Sequence, residues 1–364
     1  MPRDYFQRRR SKRRITSVLM VGVFSVIIGW ALTRQPGTPS FPIRESLVNA
    51  PPADFGTNFD APRQEIANAA LHDATRGTDI HVRLLFPRAG GNFPVIIFSP
   101  DNRESENCCE QLLRDWASHG YVVVQLTRVT SLRAQPHAVV EGVRLKRAIH
   151  DHANVAASAA GPLDVTSVID SLAVLQTRFP AIRGKLDTVH IGVAGNGAGA
   201  VAAEAIAGAL LELPGRPLAN LADPRVRAVL CISPQGPGPS GFTERSFDQL
   251  VLPYLGITSI HDGAPSKFAA AAWHKAPFEH SQPGDKYELF VRRDGDGAMI
   301  SDGYEVSSDS AQNGQPSAAA AGHIQAATLA FWEAYLKHDM AARRYLESDK
   351  LEKASRGALT LERR

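Results

Sequence analysis

Residues 189–200 read VHIGVAGNGAGA and contain the local pattern that decides the fold. Residues 189–194 are a short, largely apolar run, which predicts a buried β-strand. The glycines at 195, 197 and 199 predict a tight turn, and the Ala/Leu-rich residues 200–211 predict a helix. A strand that passes through a tight turn directly into a helix is the repeating unit of α/β proteins.

The same alternation of strand and helix continues along the chain. The last predicted element of this alternation is a helix at residues 324–336. An earlier predicted helix has its apolar residues on one face. That face consists of Val165, Val168, Ile169, Leu172 and Leu175. The predicted strands are residues 80–86, 95–99, 121–126, 189–194, 226–232, 254–259 and 287–291. This order predicts a mainly parallel central sheet with helices on both faces.

The N-terminal region has a charge pattern of its own. Residues 15–32 contain no charged side chain and follow a strongly basic segment. At about 1.5 Å rise per residue, this run spans roughly 27 Å, enough to cross a bilayer core. A cleaved signal peptide is the alternative, but no A-x-A site follows the run. We predict an uncleaved signal anchor: a single-pass membrane protein with a cytoplasmic N-terminus and an extracytoplasmic body.

The predicted domain plan follows from these composition shifts. It comprises a basic cytoplasmic tail at 1–14, a transmembrane helix at 15–32, a linker at 33–62, a folded domain at 63–345 and a charged tail at 346–364. Seven Lys/Arg and one acid fall in residues 1–14, which leaves 33 basic and 36 acidic residues in the remainder. A slightly acidic body argues against nucleic-acid binding. The three cysteines are too few for a disulfide framework.

Several segments of the chain resemble the platelet-activating-factor acetylhydrolase and dienelactone-hydrolase-like esterases, a branch of the α/β-hydrolases. The matching segments read FPVIIFS at 93–99, WASHGYVVV at 116–124, IGVAG at 191–195, DPRVRAV at 223–229, SPQGPG at 233–238 and FWEAYL at 331–336. Their order and spacing hold over residues 70–340. The resemblance implies an α/β-hydrolase fold and an ester-hydrolase ancestry.

The resemblance also implies where catalytic groups belong. Such an enzyme needs a Ser nucleophile, a His base, an acid that orients the His, and two backbone N–H donors for the oxyanion. The nucleophile position, in a G-x-S-x-G elbow, falls on Gly197, and the His position falls on Ala298. The acid is retained as Asp262. The backbone donors fall on Ala198 and Asn102.

Four further residues are expected at the rim of the pocket: Asp101, Asn196, His261 and Ser233. A carboxylate at Asp101, beside the expected donors, opposes negative charge that develops there. The resemblance therefore implies a catalytically inactive homologue that binds a small lipid or ester ligand, or a partner. We expect no cofactor and no metal ion.

Other interpretations of the same residues remain open. An active hydrolase with a displaced triad would keep Asp262 as its acid and needs a Ser or Cys beside a His at the strand ends. Residues 195–200 also fit the dinucleotide pattern G-x-G-x-x-A, but the next predicted strand ends at Ser233 with no acid for a ribose. A metal site would need His261 and Asp262 to converge with neighbouring aspartates.

Overall fold

Continuous runs of β-branched and aromatic residues form the strands of a nine-stranded sheet. The computed structural model of the chain describes residues 63–101, 109–127, 143–213, 216–259, 271–292 and 318–364. All of these residues belong to one compact unit.

The strands are β1 (Arg63–Asp73), β2 (Thr78–Pro87), β3 (Phe93–Ser99), β4 (Val122–Thr127), β5 (Leu186–Asn196), β6 (Leu211–Leu213), β7 (Arg216–Ala219), β8 (Val226–Ile232), β9 (Tyr254–Ser259), β10 (Lys286–Val291) and β11 (Leu359–Arg363). The helices are α1 (Glu110–Ser118), α2 (Val143–Arg178), α3 (Ala198–Ile206), α4 (Ala271–His280), α5 (Ala318–Leu336), α6 (Met340–Leu346) and α7 (Lys350–Ala354). Two 3-10 turns lie at Pro180–Ile182 and Glu244–Gln249.

The strand order in the main sheet is β1-β2-β4-β3-β5-β8-β9-β10-β11, and β6 and β7 form a separate pair. Neighbouring strands from β4 to β10 are parallel, whereas β2 and β11 run in the opposite direction. Parallel neighbours need crossover connections, which helices provide here. The predicted α/β class and mainly parallel sheet are therefore confirmed, and the carboxyl ends of six parallel strands meet at one edge.

Each face of the sheet buries its own hydrophobic cluster. Helices α1, α5, α6 and α7 cover one face, where Trp116 and Trp332 meet edge to face with ring centroids 5.6 Å apart. Helices α2, α3 and α4 cover the other face. The predicted apolar face of α2, from Val165 to Leu175, is buried there. The strands predicted at 226–232 and 254–259 coincide with β8 and β9.

The C-terminal residues 346–364 are not a charged tail. They contain α7 and β11, and β11 pairs antiparallel with β10. Leu359 and Leu361 are buried, whereas Thr360 between them and Glu362 after them are partly exposed. This alternation is the pattern of a strand with one covered face. The charged residues conceal it in a composition-based analysis, so the compact unit extends to Arg364.

The predicted membrane architecture is corrected by the structure. Within the described residues, no helix is long and apolar enough to cross a membrane. The helices α2 and α5 have sufficient length, but their apolar side chains pack against the sheet. The prediction of a transmembrane helix, a signal anchor and a single-pass arrangement is wrong on this finding. Residues 15–32, on which that prediction rested, lie outside the described residues.

Candidate functional site

The turn between β5 and α3 has the backbone geometry of a strand-to-helix elbow. Gly197 has φ 53° and ψ −114°, a conformation that residues with side chains rarely adopt. Its N–H donates to the carbonyl of Ile232 on β8 at 2.9 Å, which fixes the turn to the neighbouring strand. The chain therefore reverses from strand to helix at the carboxyl edge of the sheet, the position at which α/β sheets bind ligands.

Two other glycines let the helix approach the strand closely. A Cβ on Gly195 would overlap the carbonyl of Gly199, and a Cβ on Gly199 would overlap the carbonyl of Ser99 on β3. Any side chain at 195 or 199 would therefore push α3 away from the sheet. These contacts explain the alternating glycines of the sequence, independently of what occupies position 197.

Asp101 occupies the position that a side chain on residue 197 would take. Its Oδ2 accepts the N–H of Ala198 at 2.9 Å. A Cβ built on Gly197 would overlap the same Oδ2 and would lie 3.0 Å from Asp101 Cγ. The carboxylate, supplied from the chain after β3, thus uses the first backbone donor of α3, where it also meets the positive end of the helix dipole.

Five of the nine sequence-predicted residues, Gly197 among them, come together at the carboxyl ends of β3, β5 and β8. Asn196 is the buried last residue of β5 and pairs in register with Ile232. Ser233 follows β8 with φ 48°, and its N–H donates to the carbonyl of Ile257 at 2.9 Å. Asp101 and Ala198 lie beside them. The other four predicted residues, Asn102, His261, Asp262 and Ala298, lie outside the described residues.

One serine in the described residues lies within hydrogen-bonding distance of a histidine ring: Ser118, whose Oγ is 3.2 Å from His119 Nδ1. The Asp115 carboxylate approaches the same ring nitrogen, with its Oδ1 3.5 Å from His119 Nδ1. However, Nδ1 donates to the carbonyl of Asp115 at 2.8 Å, and the Ser118 hydroxyl donates to the same oxygen. The group caps the end of α1 just before β4, at the amino edge of the sheet, far from the elbow.

Cys231 does not supply a thiolate nucleophile. It is fully buried on β8, and burial raises the pKa of its thiol well above the ordinary value. Cys109 packs in the hydrophobic cluster on the opposite face of the sheet, so these two thiols do not meet.

Metal ligands do not converge in the part of the chain that the structure describes. There, no group of three His, Cys, Asp or Glu side chains could hold a metal ion. A cavity of about 250 Å³ lies at the start of β10, at the edge opposite the elbow. It is lined by Asp285, Lys286, Tyr287, Glu347, Arg363 and Arg364. The Lys286 ammonium donates to the carbonyls of Gly284 and Val251, and burial lowers its pKa to about 8.

Sequence reasoning missed two buried acids below the elbow, Glu204 on α3 and Glu288 on β10. Each has 0% exposed surface. Burial, followed by the charge of Glu288, raises the pKa of Glu204 well above its ordinary value. A signal was present in the sequence, because each is the lone acid in an otherwise apolar helix or strand core.

Comparisons with known proteins do not identify the chain. No family model matches it, and no curated protein matches it significantly. Its function is therefore inferred from the fold and the geometry of the site.

Proposed function

We propose that this chain is an α/β-hydrolase-like protein that does not perform serine-esterase chemistry and uses the crevice at its elbow for binding. The strand order from β1 to β10, with β2 antiparallel and the elbow after β5, supports the relationship to that superfamily. The close approach of Gly195 and Gly199 keeps the elbow in the shape that such a crevice needs.

The proposal rests on the position of the Asp101 carboxylate. Acyl transfer by a serine needs an oxygen nucleophile at position 197 and free N–H donors for the oxyanion. Gly197 supplies no oxygen, and the N–H of Ala198 is already donated to a carboxylate. Removal of one oxyanion donor alone costs about 10²–10³ in kcat. A negative charge in the same place adds repulsion toward the transition state.

The same carboxylate argues against the dinucleotide interpretation. A pyrophosphate would have to accept the N–H groups at the start of α3, with Ala198 foremost among them. Asp101 Oδ2 holds that N–H at 2.9 Å and would repel the phosphates. The chain after β8 continues with Ser233 and Pro234, which offer no acid to a ribose. NAD, NADP and FAD are expected to leave the thermal midpoint unchanged.

The ligand that we propose is a small lipid or ester, or a partner that presents a similar group. This part of the proposal rests on the superfamily relationship, in which the crevice at the carboxyl edge receives acyl compounds. A displaced triad is the second candidate, with Ser233, the residue that follows β8 at the same edge of the sheet, as its candidate hydroxyl.

The first test is catalytic. The full chain is incubated with short-chain p-nitrophenyl esters and with an alkyl fluorophosphonate, which labels activated serines. We expect turnover at the buffer rate and no label. Turnover or labelling that a single Ser233→Ala substitution abolishes would establish the displaced triad and overturn the proposal; Ser118→Ala serves as the matched control.

The second test measures binding without chemistry. Ethyl butyrate and ethyl hexanoate should raise the thermal midpoint of the full chain in a concentration-dependent way, with no product formed. Unchanged midpoints up to the solubility limits of both esters would overturn the ligand class, while the inactive-enzyme part would stand on the first test.

A further inference from the structure

Four titratable side chains lie together in the interior beneath the elbow. They are Glu204 on α3, Cys231 on β8, Tyr254 on β9 and Glu288 on β10, and we call them the buried acid cluster. None has any exposed surface. An ionised carboxyl in such a place is costly unless it is paired, so two acids here need a physical explanation.

The strand register brings Glu288 next to Cys231. Both residues pair with Gly256 on the strand between them, so the three form one row across β8, β9 and β10. A Cβ on Gly256 would overlap Glu288 Oε2, and it would lie 3.1 Å from the ring of Tyr254. The missing side chain at 256 therefore makes the space into which the Glu288 carboxyl extends.

Glu204 enters the cluster from the helix above. Its Oε1 accepts the N–H of Gln235 at 3.2 Å, and its Oε2 has no hydrogen-bond partner among the described residues. Among the described residues, Glu288 is the charged group that acts on Glu204, and the titratable His274 of α4 contacts Pro234, next to Gln235. Burial raises the pKa of Glu204 well above its ordinary value, the Gln235 N–H lowers it by less, and the charge of Glu288 raises it.

Gln235 belongs to residues 233–238, which follow β8 at the carboxyl edge of the sheet and which we call the rim loop. On one side the loop is tied to α3 through Glu204. On the other side it is tied to α4, because His274 Nδ1 donates to the carbonyl of Pro234 at 2.6 Å and Trp273 Nε1 donates to that of Pro237 at 2.7 Å. The loop is thus held between two helices, by Glu204 from α3 and by His274 and Trp273 from α4.

We propose that Glu204 forms a proton-dependent latch on the rim loop. While Glu204 holds its proton, the Gln235 N–H stays on Glu204 and the loop stays closed. When Glu204 loses its proton, the buried charge requires water, and the loop is the part that can move to admit it, since α3 is fixed to the sheet by its glycine contacts. The inference does not depend on which ligand enters the crevice.

The sign of the pH dependence follows from linkage. The closed state holds the proton more tightly than the open state, in which a glutamate has its ordinary pKa of 4.5. The closed loop is therefore favoured at low pH and loses stability as the pH rises above that value. Release of one proton on opening makes the opening constant rise about tenfold per pH unit, until the raised pKa of the closed state is reached.

Amide hydrogen exchange of the rim loop in the full chain tests this directly. After correction for base-catalysed exchange, the rim-loop amides should lose protection by about tenfold per pH unit, whereas those of α5 should not. Glu204→Gln keeps the acceptor for Gln235 but cannot ionise, so this slope should vanish. Glu212→Gln, on an exposed position of β6, is the matched control and should retain it.

An infrared measurement on the unsubstituted chain covers the case in which Glu204→Gln fails to fold. Above pH 4.5, where an exposed glutamate is largely ionised, a protonated carboxylic acid should still give its carbonyl stretch, and that band should disappear at higher pH in step with the loss of protection. Absence of the band, or an exchange slope that persists in Glu204→Gln, would overturn the latch.

Discussion

The two edges of the parallel sheet differ in which requirement of a serine–histidine–acid triad they meet. At the carboxyl edge, the elbow has the backbone of a nucleophile site, but Gly197 has no side chain and Asp101 fills the space. At the amino edge, Ser118, His119 and Asp115 supply the residue types of a triad, but both partners meet the same ring nitrogen.

The comparison shows that having the residue types of a triad is not sufficient without the arrangement of a triad. A triad transfers a proton because the nucleophile and the acid contact opposite nitrogens of one imidazole. At the amino edge, Nδ1 is a donor to a backbone carbonyl and cannot take a proton from Ser118. At the elbow, the architecture would suit a nucleophile, yet a carboxylate replaces it. Neither edge therefore combines the residue types of a triad with a backbone that positions a nucleophile.

The largest expected effect concerns the elbow backbone. Gly195→Ala should lower the free energy of unfolding by about 3 kcal/mol, because the new methyl group would overlap the carbonyl of Gly199 and neither backbone can move freely. Urea unfolding measures the change. Gly90→Ala, where nothing lies within 4 Å of the added Cβ, is the matched control and should change stability by less than about 0.5 kcal/mol. Equal effects at the two positions would contradict the close packing of α3.

A double-mutant cycle tests whether Asp101 occupies the side-chain position. Gly197→Ala should cost about 2–3 kcal/mol, from backbone strain and from the clash with Asp101. In the Asp101→Ala background the clash is gone, so the cost should fall by about 1 kcal/mol. Additive effects in urea unfolding would mean that the two positions do not compete for the same space.

The smallest effect is expected at the amino edge. His119→Ala removes hydrogen bonds at the end of α1 and should lower the free energy of unfolding by about 1 kcal/mol. Ester turnover should remain at the buffer rate in both forms. A hydrolytic activity that depends on His119 would reverse the comparison and make the amino edge the functional one.

The sequence was sufficient to predict the parallel strands of the core and the elbow. Their apolar runs are continuous, because both faces are covered, and the glycines at 195 and 199 mark a close approach. It failed for β1 and β11 at the sheet edges. In β11, Leu359 and Leu361 alternate with charged or polar residues, so composition hides the strand.

For the predicted rim residues, the sequence could not give the positions of the side chains. Sequence placed Asp101 near the N–H of Ala198, but it could not show that the carboxylate takes the place of a side chain at 197, which depends on the angle at which the chain leaves β3. Glu204 and Glu288 were missed because their proximity depends on strand register, through Gly256, and no local pattern encodes register across three strands.

The mutual exclusion at the elbow couples positions 101 and 197. While Asp101 lies against α3, a serine introduced at 197 would meet an occupied space, and removal of Asp101 alone would leave a glycine without a side chain. A reactive side chain at 197 would therefore need both substitutions together, and an engineered nucleophile at this turn has to be designed as a pair of changes.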